Sequence, residues 1–213
     1  MLIGIPVYEG FDLLDMAGPW EMFKWAGYET ELVAEKPGLI GCNAGSQDNG
    51  VGLQIEVKTA LSAAGKWDAL WTPGGSPKAL NLQMKDQVFL GFLKQKAEEV
   101  KYVCSVCDGA LLLAAAHLLD GYTITTHWAF IPCFQQRFGK TVKLADGFPR
   151  FWLDRNRLTG GGISSGLDES LQLITLLSGV EAAEAVQQNT QYYPDPPVSS
   201  QIPQTNYCPL DSA

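Results

Sequence analysis

Cys107 lies between two apolar runs, with the small residues Ser105 and Gly109 placed two positions before and two after it. Lys101 to Val106 reads as a buried strand and Ala110 to Leu119 as a buried helix. A cysteine at that junction has the steric signature of a nucleophile elbow, where the strand turns so sharply into the helix that bulk at either flanking position would collide. The thiol then points out from the end of a sheet with a helix N-terminus behind it. The helix macrodipole and its free N–H groups favour the thiolate there, and hence nucleophilic chemistry.

Two plainer readings compete with this one. Free cysteine is among the most buried residue types, so Cys107 could be inert core. Cys104 and Cys107 also have the C-x-x-C spacing of a redox pair. In a redox pair both cysteines sit at a helix start, whereas Cys104 falls inside the strand, so this reading is the weaker.

Other candidates lie at the ends of neighbouring strands. The loop after the first strand carries Asp12 and Asp15, and Pro73-Gly74-Gly75-Ser76-Pro77 follows the strand Ala69 to Thr72. In an open α/β sheet the reactive crevice lies outside the carboxyl ends of the strands. A carboxylate, two unhindered backbone N–H groups and a thiol would then share one edge, with the Asp108 N–H as a further donor. Those are the parts of a nucleophile, a proton carrier and an oxyanion cradle. Each part has a structural alternative. Asp15 could cap a helix beginning near Pro19, Asp12 reads as a turn residue, and Asp168 suits the first turn of a helix after Gly166. Of the two histidines, His117 fits the C-terminal end of the elbow helix, and His127 either reaches the site or starts the next helix. The order Cys107, His127, acid imitates a thiol-protease triad, but the elbow context supports only the thiol. No Cys/His ligand spacing is present, which argues against zinc.

The elements that must position these groups fit one domain of 213 residues, 46% apolar and 18% charged. A net charge of −8 without a basic run argues against nucleic acid and anionic membrane as partners. The apolar run Ala110 to Ala116 is too short to span a bilayer, and no secretory signal precedes the first strand. Five cysteines at irregular spacing argue against a disulfide framework, and the compartment reads as the cytoplasm.

Leu2 to Tyr8 reads as a strand, Pro19 as the first residue of a helix ending at Gly27, and Tyr28 to Ala34 as the next strand. Gly38 to Val57 reads as a β-excursion or hairpin with alternation in Val51 to Val57. Asp86 to Val100 has helical spacing. Tyr122 to Thr126, Val142 to Leu144, Phe151 to Leu153 and Arg157 to Thr159 are strand candidates. Gly160 to Gly166 reads as a flexible loop before one long helix, Leu167 to Gln188. The alternation of strands and helices points to a mostly parallel sheet covered on both faces. Residues 1–190 form the α/β domain by this reading. Residues 191–213 form a proline-rich extended tail that lies over the domain surface or a neighbouring subunit.

Several motifs resemble the ThiJ/PfpI superfamily. They are Val106-Cys107-x-Gly109-Ala110-x-x-Leu113-Ala114-x-Ala116, Leu118-Leu119-Asp120-Gly121, Thr125-Thr126-His127-Trp128, Asp15-x-x-Gly18-Pro19, Pro73-Gly74-Gly75, Gly161-Gly162-Ile163-Ser164-Ser165-Gly166-Leu167-Asp168 and Tyr193-x-Asp195-Pro196-Pro197. The nearest branch is similar to isonitrile hydratases, with an aspartate on the first loop where many relatives carry glutamate. The resemblance implies a flavodoxin-like three-layer α/β sandwich, a homodimer, a small-molecule substrate, and no metal or organic cofactor. It implies Cys107 as nucleophile, Asp15 as acid/base, the Gly75 and Asp108 backbones as cradle for negative charge, and His127 as accessory. One departure stands out: Asp108 follows the nucleophile, where the hydratase branch has Thr and the peptidase-like branch His.

The expected reaction is hydration of an isocyanide to an N-substituted formamide through a cysteine thioimidate. Glyoxalase- or amidase-like chemistry on small carbonyl compounds, or a cysteine-based oxidative stress sensor, are the alternatives. A regulator with a DNA-binding helical domain is not expected, because the chain ends soon after residue 190.

Overall fold

The computed structural model describes residues 1–43 and 52–212. Its first half runs β1 (Leu2–Pro6), β2 (Phe11–Asp12), α1 (Leu13–Trp25), β3 (Glu29–Ala34), β4 (Gly38–Asn43), β5 (Gln54–Val57), β6 (Thr59–Ala60), β7 (Ala69–Thr72), α2 (Pro77–Gln83) and α3 (Gln87–Glu99). The second half runs β8 (Tyr102–Ser105), α4 (Gly109–Ala115), β9 (Thr123–Ile124), α5 (Ile131–Arg137), β10 (Lys143–Leu144), β11 (Phe151–Asp154), β12 (Arg157–Gly160), α6 (Ser165–Ser178) and α7 (Val180–Asn189).

Seven strands form the central sheet in the order β11-β12-β8-β7-β1-β3-β6, parallel throughout except for the β11–β12 edge hairpin. A strand covered on both faces has no polar side to offer, which is why β7 reads Ala-Leu-Trp-Thr and is buried at every residue. Helices α1, α6 and α7 pack together, and α4 packs with α2 and α3. The result is the three-layer α/β sandwich expected from the alternation of elements. From β1 the chain builds one way through β3 and β6, then returns to build the other way through β7, β8 and β12. The order therefore reverses between β1 and β7, and the carboxyl ends of β1, β7 and β8 surround that switch point.

Several expectations need correction. Helix α1 begins at Leu13, not Pro19, so Pro19 lies inside it. An internal proline removes the N–H that would bond the carbonyl four residues back; here that carbonyl belongs to Asp15, and the Trp71 indole N–H donates to it at 2.9 Å. The long C-terminal helix is two helices, divided at Gly179 with φ 91°. Its N-terminus begins at Ser165, within what read as a flexible loop. Helix α2 went unpredicted, although its Ser76 cap, accepting from the Ala79 N–H at 3.2 Å, precedes Pro77 at the first helical position. The β-excursion is the antiparallel hairpin of β4 and β5; Val51 lies outside the described residues.

The cysteine reading also fails at one point. Cys133 at 0% exposure and Cys208 at 1% form a disulfide across 75 residues. It binds the proline-rich tail to α5, and the tail is further held by Asn81 Nδ2 donating to the Leu210 carbonyl at 2.9 Å and by the Arg137–Asp211 pair at 3.1 Å. The tail thus lies on its own domain. An odd count and irregular spacing cannot reveal a single long-range bridge, because only the fold brings the two sulfurs together.

Closing a loop of this length contributes roughly 4–5 kcal/mol by the chain-entropy account. Cys133→Ser is expected to lower the urea midpoint by a corresponding amount, and reductant should lower wild type to the same value. Coincident midpoints with and without the bridge would contradict this.

Candidate active site

Cys107 adopts φ 58°, left-handed for a residue with a side chain. Such a conformation costs on the order of 1–3 kcal/mol and persists only when its surroundings impose it. Those surroundings are visible. The Cys107 N–H donates to the Gly161 carbonyl at 2.7 Å, while its carbonyl accepts from Thr126 Oγ1 at 2.8 Å and from the His127 N–H at 3.3 Å. A Cβ on Gly109 would lie 2.3 Å from the Thr72 carbonyl oxygen, so only glycine lets the helix start so close to β7. The elbow read from Ser105, Cys107 and Gly109 is present.

Around the sulfur, Asp12, Asp15 and Asp108 each place a carboxylate oxygen so that these oxygens and Cys107 Sγ lie within 4.8 Å of one another. The three aspartates are 8%, 0% and 2% exposed. Asp15 is held at the backbone by Trp71 and at the side chain by the Gly74 N–H, which donates to its Oδ2 at 2.9 Å. Its Oδ1 has no hydrogen-bond partner. Asp12 sits at the start of α1 and accepts from Asn43 Nδ2 at 2.6 Å. Asp108 Oδ1 accepts from the Gly75 N–H at 2.9 Å.

This packing works against an ionised resting thiol. Burial, then the charges of Asp108, Asp15 and Asp12, push the Cys107 thiol well up, against one lowering contact from the Ile163 N–H. Burial first, and the neighbouring carboxylates second, likewise push Asp15 and Asp108 well up, and burial raises Asp12. Negative charges this close oppose one another, so the four groups titrate as a set. The thiol hydrogen-bonds to the Asp15 carboxyl, which lowers Asp15 slightly. The macrodipole of the seven-residue α4 is outweighed by three close acids. Among the described residues these four are also the group able to hold a metal ion, a mixed oxygen and sulfur set.

A cavity of about 370 Å³ opens beside the elbow, lined in part by Leu14, His127, Trp128, Phe148, Ile163 and Ile202. Cys107, 2% exposed, is not among the lining residues. It lies directly behind the Gly161–Ile163 floor that bonds to it. His127 is half a helix-start residue and half a cavity wall: its Nδ1 accepts from the Ala129 N–H at 3.2 Å, and burial lowers its pKa. The ring is therefore neutral with its proton on Nε2, able to donate into the cavity. His117 lies exposed just past α4, paired with Asp120 at 3.1 Å. Asp168 lies in the first turn of α6 and pairs with Arg150.

Glu169 is a buried acid that sequence reasoning missed. It is 0% exposed, both carboxyl oxygens lack partners, and burial, aided by Asp15, pushes its pKa well up. Its signal was available: it shares the buried face of α6 with Gly166, Ser170 and Leu173. Asn43 was missed too, and Asp12 was set aside as a turn residue although it faces the thiol.

Residues 1–175 match the DJ-1/PfpI family. The chain is 32% identical over 203 residues to isonitrile hydratase of Pseudomonas putida, spanning 95% of this chain and 83% of that protein. A ThiJ/PfpI family protein of known crystal structure from Pseudomonas syringae superposes with a TM-score of 0.82 at 31% identity, covering 92% of this chain and 77% of that one. The HTH-type transcriptional regulator GbdR of Pseudomonas aeruginosa is 26% identical over 185 residues, which is 86% of this chain and 48% of the regulator.

Two measurements check the electrostatics. Alkylation of Cys107 by iodoacetamide should be slow at neutral pH and rise only above the ordinary thiol range near about 8.5; rapid alkylation near pH 6 would contradict the neutral thiol. Glu169 binds a proton in the fold that the unfolded chain releases above about pH 4.3, so its share of stability is complete below that pH and lost as pH rises toward the folded value. Glu169→Gln cannot ionise and should flatten the decline of the denaturation midpoint with rising pH. Parallel curves for the two proteins would remove Glu169 as its source.

Proposed function

We propose that this chain, which belongs to the DJ-1/PfpI family, is a lyase of the isonitrile hydratase type that converts an isocyanide to an N-substituted formamide. The observation that carries the reading is a thiol on a left-handed elbow within 4.8 Å of a fully buried carboxyl group. The similarity to isonitrile hydratase supports it.

The proposed sequence needs one shuttled proton at a time. Asp15, as carboxylate, takes the Cys107 proton while the sulfur bonds to the terminal carbon of R–N≡C. A π pair settles on nitrogen, and the carbon's own lone pair takes the proton from Asp15, giving the thioimidate R–N=CH–S. Water then adds across C=N, its proton passing through Asp15 to nitrogen. As the C–S bond breaks, the hydroxyl proton leaves by Asp15 to the departing sulfur, releasing R–NH–CHO and restoring the thiol. A carboxyl group whose pKa is raised by burial is suited to give and take a proton near neutral pH. The apolar wall of Leu14, Trp128, Phe148, Ile163 and Ile202 suits an apolar substituent R. For this substrate to meet the sulfur, the Gly161–Ile163 floor must part.

A sensor role is less favoured, because oxidation follows thiolate character and exposure, and Cys107 has neither. The proposed setting is the cytoplasm, where the Cys133–Cys208 bridge would persist through its burial from reductants. Among the described residues no helix is long and apolar enough to cross a membrane.

Incubation with cyclohexyl isocyanide should yield the formamide, with no product above background from Cys107→Ala. Asp15→Asn should lower kcat about 100-fold or more, the usual worth of a positioned acid/base. Equal rates for wild type and Cys107→Ala would end the proposal, and an unaltered Asp15→Asn would remove Asp15 from the chemistry.

A further inference from the structure

In acyl-transfer sites, main-chain N–H groups beside the nucleophile point at the place where an oxyanion forms. Here the protein fills that place itself. The Gly74 N–H donates to Asp15 Oδ2 and the Gly75 N–H to Asp108 Oδ1, each at 2.9 Å. The Asp108 N–H bonds its own carboxyl group as well. A Cβ on Gly74 would lie 1.9 Å from Asp108 Oδ1, so the carboxyl group is pressed onto the bare glycine loop, 2% exposed. The loop cannot slide away, because Gly75 bridges to Phe11, the Asp12 N–H bonds the Gly74 carbonyl at 2.9 Å and the Ser76 N–H bonds the Gly10 carbonyl at 2.9 Å. An Asp108 carboxyl oxygen lies within 4.8 Å of Cys107 Sγ, and the Gly75 donor beside the nucleophile is already taken.

We propose that Asp108 is the specificity-determining residue of this site: its carboxyl group occupies the anion cradle from within and restricts Cys107 to substrates whose attacked carbon takes up a proton. Attack on an aldehyde, ester or amide forms the S–C bond by moving the C=O π pair onto oxygen, and that oxygen needs the N–H donors Asp108 already holds. An ionised Asp108 would also repel it. Attack on a terminal isonitrile carbon puts no charge on oxygen, since the proton goes to carbon. The inference rests on Cys107 and Asp15 as the reacting pair. It accounts for a carboxyl-bearing residue beside the nucleophile.

Two variants separate occupancy from charge. Asp108→Asn removes the charge but keeps an amide oxygen on the Gly75 N–H, whereas Asp108→Ser removes both and frees the donor. With p-nitrophenyl acetate, acetylation of Cys107 is read as the nitrophenolate burst, with Cys107→Ala as the zero. One oxyanion donor is commonly worth about 10²–10³-fold, so Asp108→Ser should acylate at least about tenfold faster than Asp108→Asn, whose gain over wild type reads the loss of the charge alone. Methylglyoxal consumption should follow the same order. If serine and asparagine variants accelerate equally, or neither does, the proposal is overturned. Asp108→Thr replaces the serine variant if that protein does not fold by circular dichroism. The ester assay does not depend on isocyanide turnover, so inert isocyanides would sink the hydratase reading while leaving this test standing.

Discussion

Three carboxyl groups and a thiol share one buried box, and the mutual repulsion of their ionised forms governs the site. At Coulomb distances of a few ångströms in a low-dielectric interior, adjacent like charges are too costly to coexist. The box must keep protons. In the proposed reaction Cys107 becomes a nucleophile when its proton moves to Asp15. A site that keeps protons is suited to reactions that consume one at carbon.

What holds the box together is ordinary core packing put to a specific use. Pro19 deprives the Asp15 carbonyl of its helical partner, and the Trp71 indole, wholly buried on β7, takes its place. Trp71 is in turn packed edge-on against Phe23 of α1 with ring centroids 5.3 Å apart. The acid, the helix that carries it and the strand leading to the glycine loop are thereby locked in one unit. Burying aromatic side chains of this size contributes about 2–3 kcal/mol each. That energy offsets the strained backbone at Cys107 and the unpartnered carboxyl oxygens nearby.

The cavity and the thiol are neighbours separated by one layer of backbone. Gly161 to Ile163 forms the floor on one side and bonds to Cys107 on the other. The tail contributes Ile202 to the same cavity and is anchored nearby by its disulfide. That backbone layer is held to the elbow by the Cys107 N–H bond to the Gly161 carbonyl.

The elbow, the alternating elements and the convergence of Asp15, Gly75 and Cys107 on one sheet edge were legible in the chain. Small residues at fixed offsets and apolar periods are local signals, and parallel topology then dictates which strand ends meet. His127 at the cavity was half legible, as a helix start. The raised pKa of Cys107 was legible only in part: Asp108 is its sequence neighbour, but Asp12 of β2 and Asp15 of α1 reach it from a distant segment. The Cys133–Cys208 bridge, the proline within α1 and Asp108 seated on the Gly75 N–H were not legible. Sequence determines which groups each segment carries and roughly where its backbone turns. Tertiary structure alone decides which charge, carbonyl or sulfur each group finally faces, since those partners lie tens of residues away.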